Sequence, residues 1–210
     1  MINILIADDH TVVRQGLKQI LSRDKHMSVV AEAANGNEVL HALERAKVDV
    51  LILDITMPGR NGLDVLKEVK RNYPALPVLV LSMHPEDQFA IRMLRAGASG
   101  YITKESAPEE LIEALGKVCG GRKYVSPQLA ERLATFIEDD NTRAPHERLS
   151  DREFEILRML ALGKTVTEVA DELLLSVKTV STYRSRVLDK MKMTTNAELT
   201  RYALQSGLIN

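Results

Sequence analysis

At 210 residues the chain exceeds one average domain and suits two small ones. Hydrophobic residues at 45% and charged residues at 27% exclude extensive disorder, and a formal net charge of −1 requires any nucleic-acid contact to come from a local basic surface. Aromatics at 4%, with no tryptophan, disfavour a base-stacking platform, and the single cysteine, Cys119, excludes a disulfide framework or a multi-cysteine metal site.

Residues 2–7 form a short apolar strand ending in Asp8-Asp9-His10. The two acids arrive before the core of a secretion signal could form, and no run approaches the roughly 18 apolar residues of a membrane span. A cytoplasmic protein without a membrane segment is therefore expected. Residues 12–21 read as a helix with Val12, Val13, Leu17, Ile20 and Leu21 apolar, followed by a strand at 29–34 and a helix at 36–46. Residues 48–53, rich in Val, Ile and Leu, suit a strand buried on both faces of a parallel sheet. That strand ends on Asp54, and a turn follows at Met57-Pro58-Gly59. A helix at 63–71 stops at Tyr73-Pro74, and the strand at 78–82 ends in the Ser82 hydroxyl. A helix at 86–96 can close on Gly97, a short strand spans 100–103 just before Lys104, and Pro108 fits the first turn of a helix running to Val118.

Strands alternating with helices predict an α/β fold with a doubly wound parallel sheet; right-handed connections leave few topologies, and the flavodoxin-like order 2-1-3-4-5 is the one expected. That order sets the carboxyl ends of the first and third strands side by side, bringing Asp8 and Asp9 to Asp54, with Ser82 and Lys104 on the same rim. Three converging carboxylates repel one another, and a hard cation such as Mg2+ relieves the repulsion. A carboxylate beside such a cation can attack a phosphoryl group and form an acyl phosphate. Lys104 then supplies a point charge and Ser82 a hydroxyl donor. No GxxxxGK[ST] loop is present, so the phosphoryl group must come from another protein or a small phosphodonor.

Residues 1–120 resemble the receiver domain of two-component response regulators. The resemblance implies that Asp54 is the phosphoacceptor and that Asp8, Asp9, Asp54 and the backbone carbonyl of Thr56 hold Mg2+. It also implies that Ser82 and Tyr101 form the switch, with Lys104 on the phosphate. The partner implied is a sensor histidine kinase. An Asp-nucleophile phosphatase is the alternative, but it wants an acid/base Asp where Thr56 stands. No enzyme activity is expected beyond self-phosphorylation from a phosphodonor and slow self-dephosphorylation.

Gly120-Gly121 ends this domain, and Ser126-Pro127 can cap a short helix over 129–137. The polar, acidic stretch 138–145 closes on Pro145 and reads as a tether. The expected organisation is a receiver at 1–121, a linker at 122–147 and an all-helical domain at 148–210. In the last of these, Ser150 and Glu153 make a capping box, and Phe154, Leu157, Leu160 and Ala161 line one face before Gly163. Thr165 or Thr167 starts the next helix, Ser176 caps a third, and residues 196–205 supply Leu199, Tyr202, Ala203 and Leu204 as a packing face.

The short turn before Ser176 gives the layout of a helix-turn-helix. Between Ser176 and Lys192 stand Lys178, Arg184, Arg186, Lys190 and Lys192 against a single acid, Asp189. Thr179, Ser181, Thr182, Tyr183 and Ser185 are interleaved with them, short or polar groups able to reach phosphates or base edges. This half is similar to the four-helix LuxR-type DNA-binding domain, and the whole chain to the NarL/FixJ-type response regulators. The resemblance implies that Ser181, Thr182 and Ser185 face the major groove of promoter DNA with Arg184 close by. Lys178, Arg186, Lys190 and Lys192 are better placed for phosphates. It further implies a homodimer that forms on phosphorylation.

Overall fold

Runs of Val, Ile and Leu become five strands: β1 (Ile2–Ala7), β2 (Met27–Ala33), β3 (Val50–Asp54), β4 (Val78–Ser82) and β5 (Gly100–Thr103). Between and after them come α1 (Thr11–Leu21), α2 (Gly36–Arg45), α3 (Gly62–Asn72), α4 (Gln88–Arg95), α5 (Ala107–Cys119) and α6 (Pro127–Glu138). This computed structural model describes residues 1–57, 62–83, 88–138 and 144–209. The turn expected at Pro58-Gly59, the first residues of the helix expected from Glu86, and residues 139–143 of the polar stretch lie outside them.

The sheet is parallel throughout, in the order β2-β1-β3-β4-β5. Ala7 pairs with Leu53, Asp54 with Leu81 and Ser82 with Thr103, so four strands finish level on one rim. Alternation along each strand divides the core in two. Leu5, Leu51, Leu53, Val80 and Tyr101 pack toward α2, α3 and α4, while Ile4, Ile6, Ile52, Leu79, Leu81 and Ile102 pack toward α1 and α5. Every residue of β3 and β4 is buried. At about 1.5–3 kcal/mol for each large aliphatic side chain removed from water, these two strands anchor the rim that they carry.

Gly62 shows how tightly that rim is built. A Cβ there would lie 2.4 Å from the Ile55 Cα and 2.9 Å from the Asp54 carbonyl oxygen, so only glycine lets α3 begin against the end of β3. Two apolar positions expected to face inward do not. Val12 is 85% exposed, because the buried seam of α1 runs through Leu17 and Leu21 and Val12 lies off it, in the first turn. Leu204 is 53% exposed, one step of about 100° past the buried Ala203.

Two compact units emerge, Met1–Ile137 and Glu138–Asn210. The Ser126 hydroxyl caps α6 by accepting the Leu129 N–H at 3.1 Å, and Leu129 is buried among the residues under α2, α3 and α4, so this helix packs with the first unit. The second unit opens with a single 3-10 turn (Pro145–Arg148) and continues through α7 (Asp151–Ala161), α8 (Val166–Glu172), α9 (Val177–Met191) and α10 (Asn196–Gln205). Ile156, Leu160, Val169, Ala170 and Val180 close one core between α7, α8 and α9. Leu174 takes a left-handed φ of 53° in the turn between α8 and α9, and Ser176 then caps α9 by accepting the Thr179 N–H at 3.0 Å.

Candidate functional site

The level strand ends bring Asp8, Asp54, Ser82 and Lys104 together, as the sheet order requires. Asp8, Asp54 and Ser82 are each no more than 1% exposed. Lys104 Nζ stands 2.6 Å from Asp8 Oδ2 and 2.7 Å from Asp54 Oδ2, one cation shared by two buried carboxylates. The other Asp54 oxygen, Oδ1, accepts the Thr56 N–H at 3.0 Å, and Asp8 Oδ1 accepts the His10 N–H at 2.7 Å. The Lys104 N–H donates to the Ser82 carbonyl at 2.7 Å, which ties the end of β5 to the end of β4.

Burial pushes the Asp54 carboxyl above its ordinary range; the Lys104 and Thr56 hydrogen bonds oppose that shift, and the Asp8 charge adds to it. For Lys104, burial works against the charge, but the hydrogen bond to Asp54 and the close ion pair with Asp8 outweigh it and raise the ammonium pKa. The charged pair is thus sustained by contact rather than by solvent.

Oxygens of Asp8, Asp9 and Asp54 and a His10 ring nitrogen all lie within 4.8 Å of one another. Asp8 Oδ2 and Asp9 Oδ1 are buried and accept no aligned hydrogen bond, although Lys104 and His10 stand 2.6 and 2.8 Å away. Buried anionic oxygens short of donors suit a hard divalent cation, and this donor set is compatible with Mg2+. Thr56, whose carbonyl was expected to join the set, is exposed next to them.

Two residues of this rim escape reasoning from sequence. His10 Nδ1 lies 2.8 Å from Asp9 Oδ1 and 3.3 Å from Asp8 Oδ1; its only signal was its place directly after the acidic pair. Arg14 donates to the Asp8 carbonyl at 2.7 Å and to Glu32 at 3.1 Å, bracing the chain where it leaves β1. Nothing in the local pattern of α1 distinguishes it. Tyr101 is fully buried on the α2, α3 and α4 face, in register with Val80 of β4.

On α9, Val180, Val187, Leu188 and Met191 are buried, and the opposite side carries the polar set. Lys178, Ser181, Thr182 and Ser185 are all exposed, and their spacing places them on one face. The Thr182 and Ser185 hydroxyls donate to the Lys178 and Ser181 carbonyls one turn back, at 2.9 and 3.1 Å, leaving their lone pairs to accept from outside. Arg186 is exposed, 5.9 Å from the centre of the Tyr183 ring, and Lys192 is exposed at the left-handed end of the helix. Thr179 is half-buried, its hydroxyl 2.7 Å from that of Ser176.

Two of the expected basic residues are engaged within the unit. Arg184 Nε donates to Asn196 Oδ1 at 2.7 Å, tying α9 to the start of α10. Lys190 Nζ lies 2.7 Å from Glu153, the buried acid of the α7 capping box.

Residues 4–116 match the family described as the response regulator receiver domain, and residues 147–203 match the bacterial regulatory proteins of the luxR family. The response regulator UvrY of Escherichia coli is 36% identical over 211 residues, covering 100% of this chain and 97% of that protein. RcsB from Salmonella enterica serovar Typhimurium, in a structure bound to promoter rprA in the presence of phosphomimetic BeF3−, superposes with a TM-score of 0.71 at 30% identity, over 96% of this chain and 97% of that one. A structure of two RcsB dimers bound to two parallel DNAs gives 0.62 at 30% identity, covering 98% of both chains.

Proposed function

This chain belongs to the response regulators that join a receiver domain to a LuxR-type DNA-binding domain, and we propose that its DNA binding is switched by a phosphoryl group carried on Asp54. The observation that carries this reading is the shared cation: Lys104 Nζ lies 2.6 and 2.7 Å from two carboxylates that arrive on different strands. With a divalent cation on the neighbouring carboxylates, that lysine would stand beside an added phosphoryl charge.

The phosphoryl donor is a sensor histidine kinase or a small acyl phosphate. An Asp54 oxygen forms the new O–P bond as the donor's bond to phosphorus breaks and its electron pair leaves with the donor. Asp8, Asp9, Asp54 and the Thr56 carbonyl would hold Mg2+, which supplies charge neutralisation for the carboxylates and the incoming phosphoryl oxygens. Lys104 keeps its ion pair with Asp8 and follows the added charge. The Ser82 hydroxyl donates to a phosphoryl oxygen, drawing in the end of β4, and Tyr101, beside β4, adjusts with it. A new charge then biases a surface between two arrangements. Beyond slow loss of its own phosphoryl group the chain turns over no substrate.

The output is promoter DNA bound by a homodimer in the cytoplasm. Ser181, Thr182 and Ser185 read base edges in the major groove, with Lys178 and Thr179 at the amino end of α9. Arg186 and Lys192 contact phosphates, while Arg184 and Lys190 reach DNA only if they leave Asn196 and Glu153. The promoter-bound RcsB structure supports this reading by its likeness, and two-fold half-sites follow from a dimer. The test compares wild type with Asp54→Asn for promoter binding, with and without acetyl phosphate. Acetyl phosphate should tighten binding by the wild type alone; equal binding in all four conditions would end the proposal.

A further inference from the structure

The helices of the second unit, α7 to α10, all close in the same way. After each, one residue turns left-handed and its N–H donates to the carbonyl three residues back, while the next N–H donates to the carbonyl five residues back. That position favours glycine, because a Cβ crowds the backbone there. Gly163 fills it after α7 with a φ of 87°, and Gly207 after α10 with a φ of 66°. After α8 and α9 it is filled instead by Leu174, at 53°, and Lys192, at 54°. Among the described residues these are the left-handed positions that carry a side chain, and they bracket α9.

Neither side chain is buried: Leu174 is 78% exposed and Lys192 is exposed as well. The apolar contact that completes the turn after α8 is made by Leu175, which packs against the core holding Ala170. A side chain that strains the backbone and lies in solvent points to something outside the unit. Its neighbours indicate what that is. Val177, the first residue of α9, is 47% exposed, so two apolar side chains stand just before the exposed Lys178 and Ser181. Two exposed acids, Asp171 and Glu172, precede Leu174, and Glu172 is ion-paired with Lys164. Phosphate is therefore not the group to expect at this turn; an uncharged, apolar part of the duplex is.

Resting on the reading of α9 as the helix that enters the major groove, we propose that Leu174 is a DNA-contacting residue. With Val177 it packs against the deoxyribose carbons of the groove wall. A recognition helix sets its amino-terminal residues on base edges, which brings the turn before it to the strand that borders the groove. Contact with sugar carries no base pattern, so it adds affinity alike for every sequence.

The experiment uses the full chain with acetyl phosphate and a duplex that the wild type selects from a random-sequence pool. Leu174→Gly should raise the urea midpoint read on amide signals of α8 and α9, because the strain is relieved. The same variant should bind the duplex on the order of fivefold more weakly, the scale of one apolar side chain partly buried. Leu174→Asn, which tolerates the left-handed turn but is not apolar, should also bind more weakly, and Leu174→Met should keep the wild-type affinity. The log–log salt slope should not change in any variant, since no phosphate contact is given up. Higher stability with unchanged affinity would overturn the proposal. Weaker binding beside lower stability would make Leu174 a residue of the fold and overturn it too, and a changed slope or base preference would overturn the sugar contact. Failure of the wild type to select any duplex would instead remove the DNA-binding reading, and this proposal with it.

Discussion

Asp8 and Asp54 share one cation, and neither is more than 1% exposed. Replacing Lys104 with Met keeps most of the side-chain volume and leaves two buried carboxylates facing each other. Breaking a buried ion pair from one side costs about 3 kcal/mol, although uptake of a proton by Asp54, already favoured by burial, limits the loss. Lys104→Met should therefore unfold at lower urea than the wild type. Added Mg2+ should narrow that difference, because the same oxygens can bind it; a difference unmoved by Mg2+ would mean that these carboxylates do not form a divalent site. Asp8, Asp9, Asp54, Ser82 and Lys104 were legible in the sequence because each is a polar residue within two positions of the end of an apolar run, and a parallel sheet gathers such ends. His10 and Arg14 were not. His10 needs the direction of its ring to be known, and Arg14 needs the distance to a carbonyl that its own helix does not determine. Gly62 escaped for a related reason, since its close approach to Ile55 belongs to the loop between them.

At the scale of elements, the DNA-binding unit repeats one device. Ser150 with Glu153, Thr165 with Glu168 and Thr195 with Glu198 form capping boxes at the starts of α7, α8 and α10. The first is plain in the sequence, the second was one of two candidate starts, and the third is hidden in a run, Thr194-Thr195-Asn196, that offers several caps. Glu153 is distinctive in being buried and in meeting Lys190 of α9 at 2.7 Å. Burial alone would raise its carboxyl, but the hydrogen bonds from Lys190 and Ser150 outweigh it and hold the pKa below the usual value. A carboxylate with a depressed folded pKa stabilises fully above its unfolded pKa, about 4.3, and loses that stabilisation as pH falls through the folded value. Lys190→Met removes one of the supporting bonds and raises the folded pKa. Acid unfolding of this unit should then begin at higher pH than in the wild type. At pH 7 the two proteins should differ by less than about 1 kcal/mol, since Lys190 is partly exposed. Amide signals of α7 and α9 in a pH titration of the full chain report this directly, and coincident acid limbs would show that the Glu153–Lys190 contact contributes nothing.

For the whole molecule, the division into two units was foreshadowed by the acidic stretch that ends at Pro145, whereas the membership of α6 was not. Its apolar positions, Leu129 and Leu133, resemble those of any amphipathic helix, and only packing shows that they join the core under α2, α3 and α4. A charge acquired at Asp54 can act on DNA binding in two ways, and they differ in their dependence on concentration. If the phosphoryl group favours a dimer, binding at paired half-sites is linked to association, and mass action governs the gain. The affinity advantage of the phosphorylated chain should be large at low protein concentration and shrink as the unphosphorylated chain is forced to pair. Its binding curve should also be steeper than a single-site isotherm. If the group instead frees α9 within one chain, the advantage is a fixed population ratio and does not vary with concentration. Promoter titrations at several protein concentrations, with and without acetyl phosphate and with Asp54→Asn as the reference, separate the two. The proposed homodimer requires the shrinking ratio, and a constant ratio with single-site curves would assign the switch to the individual chain.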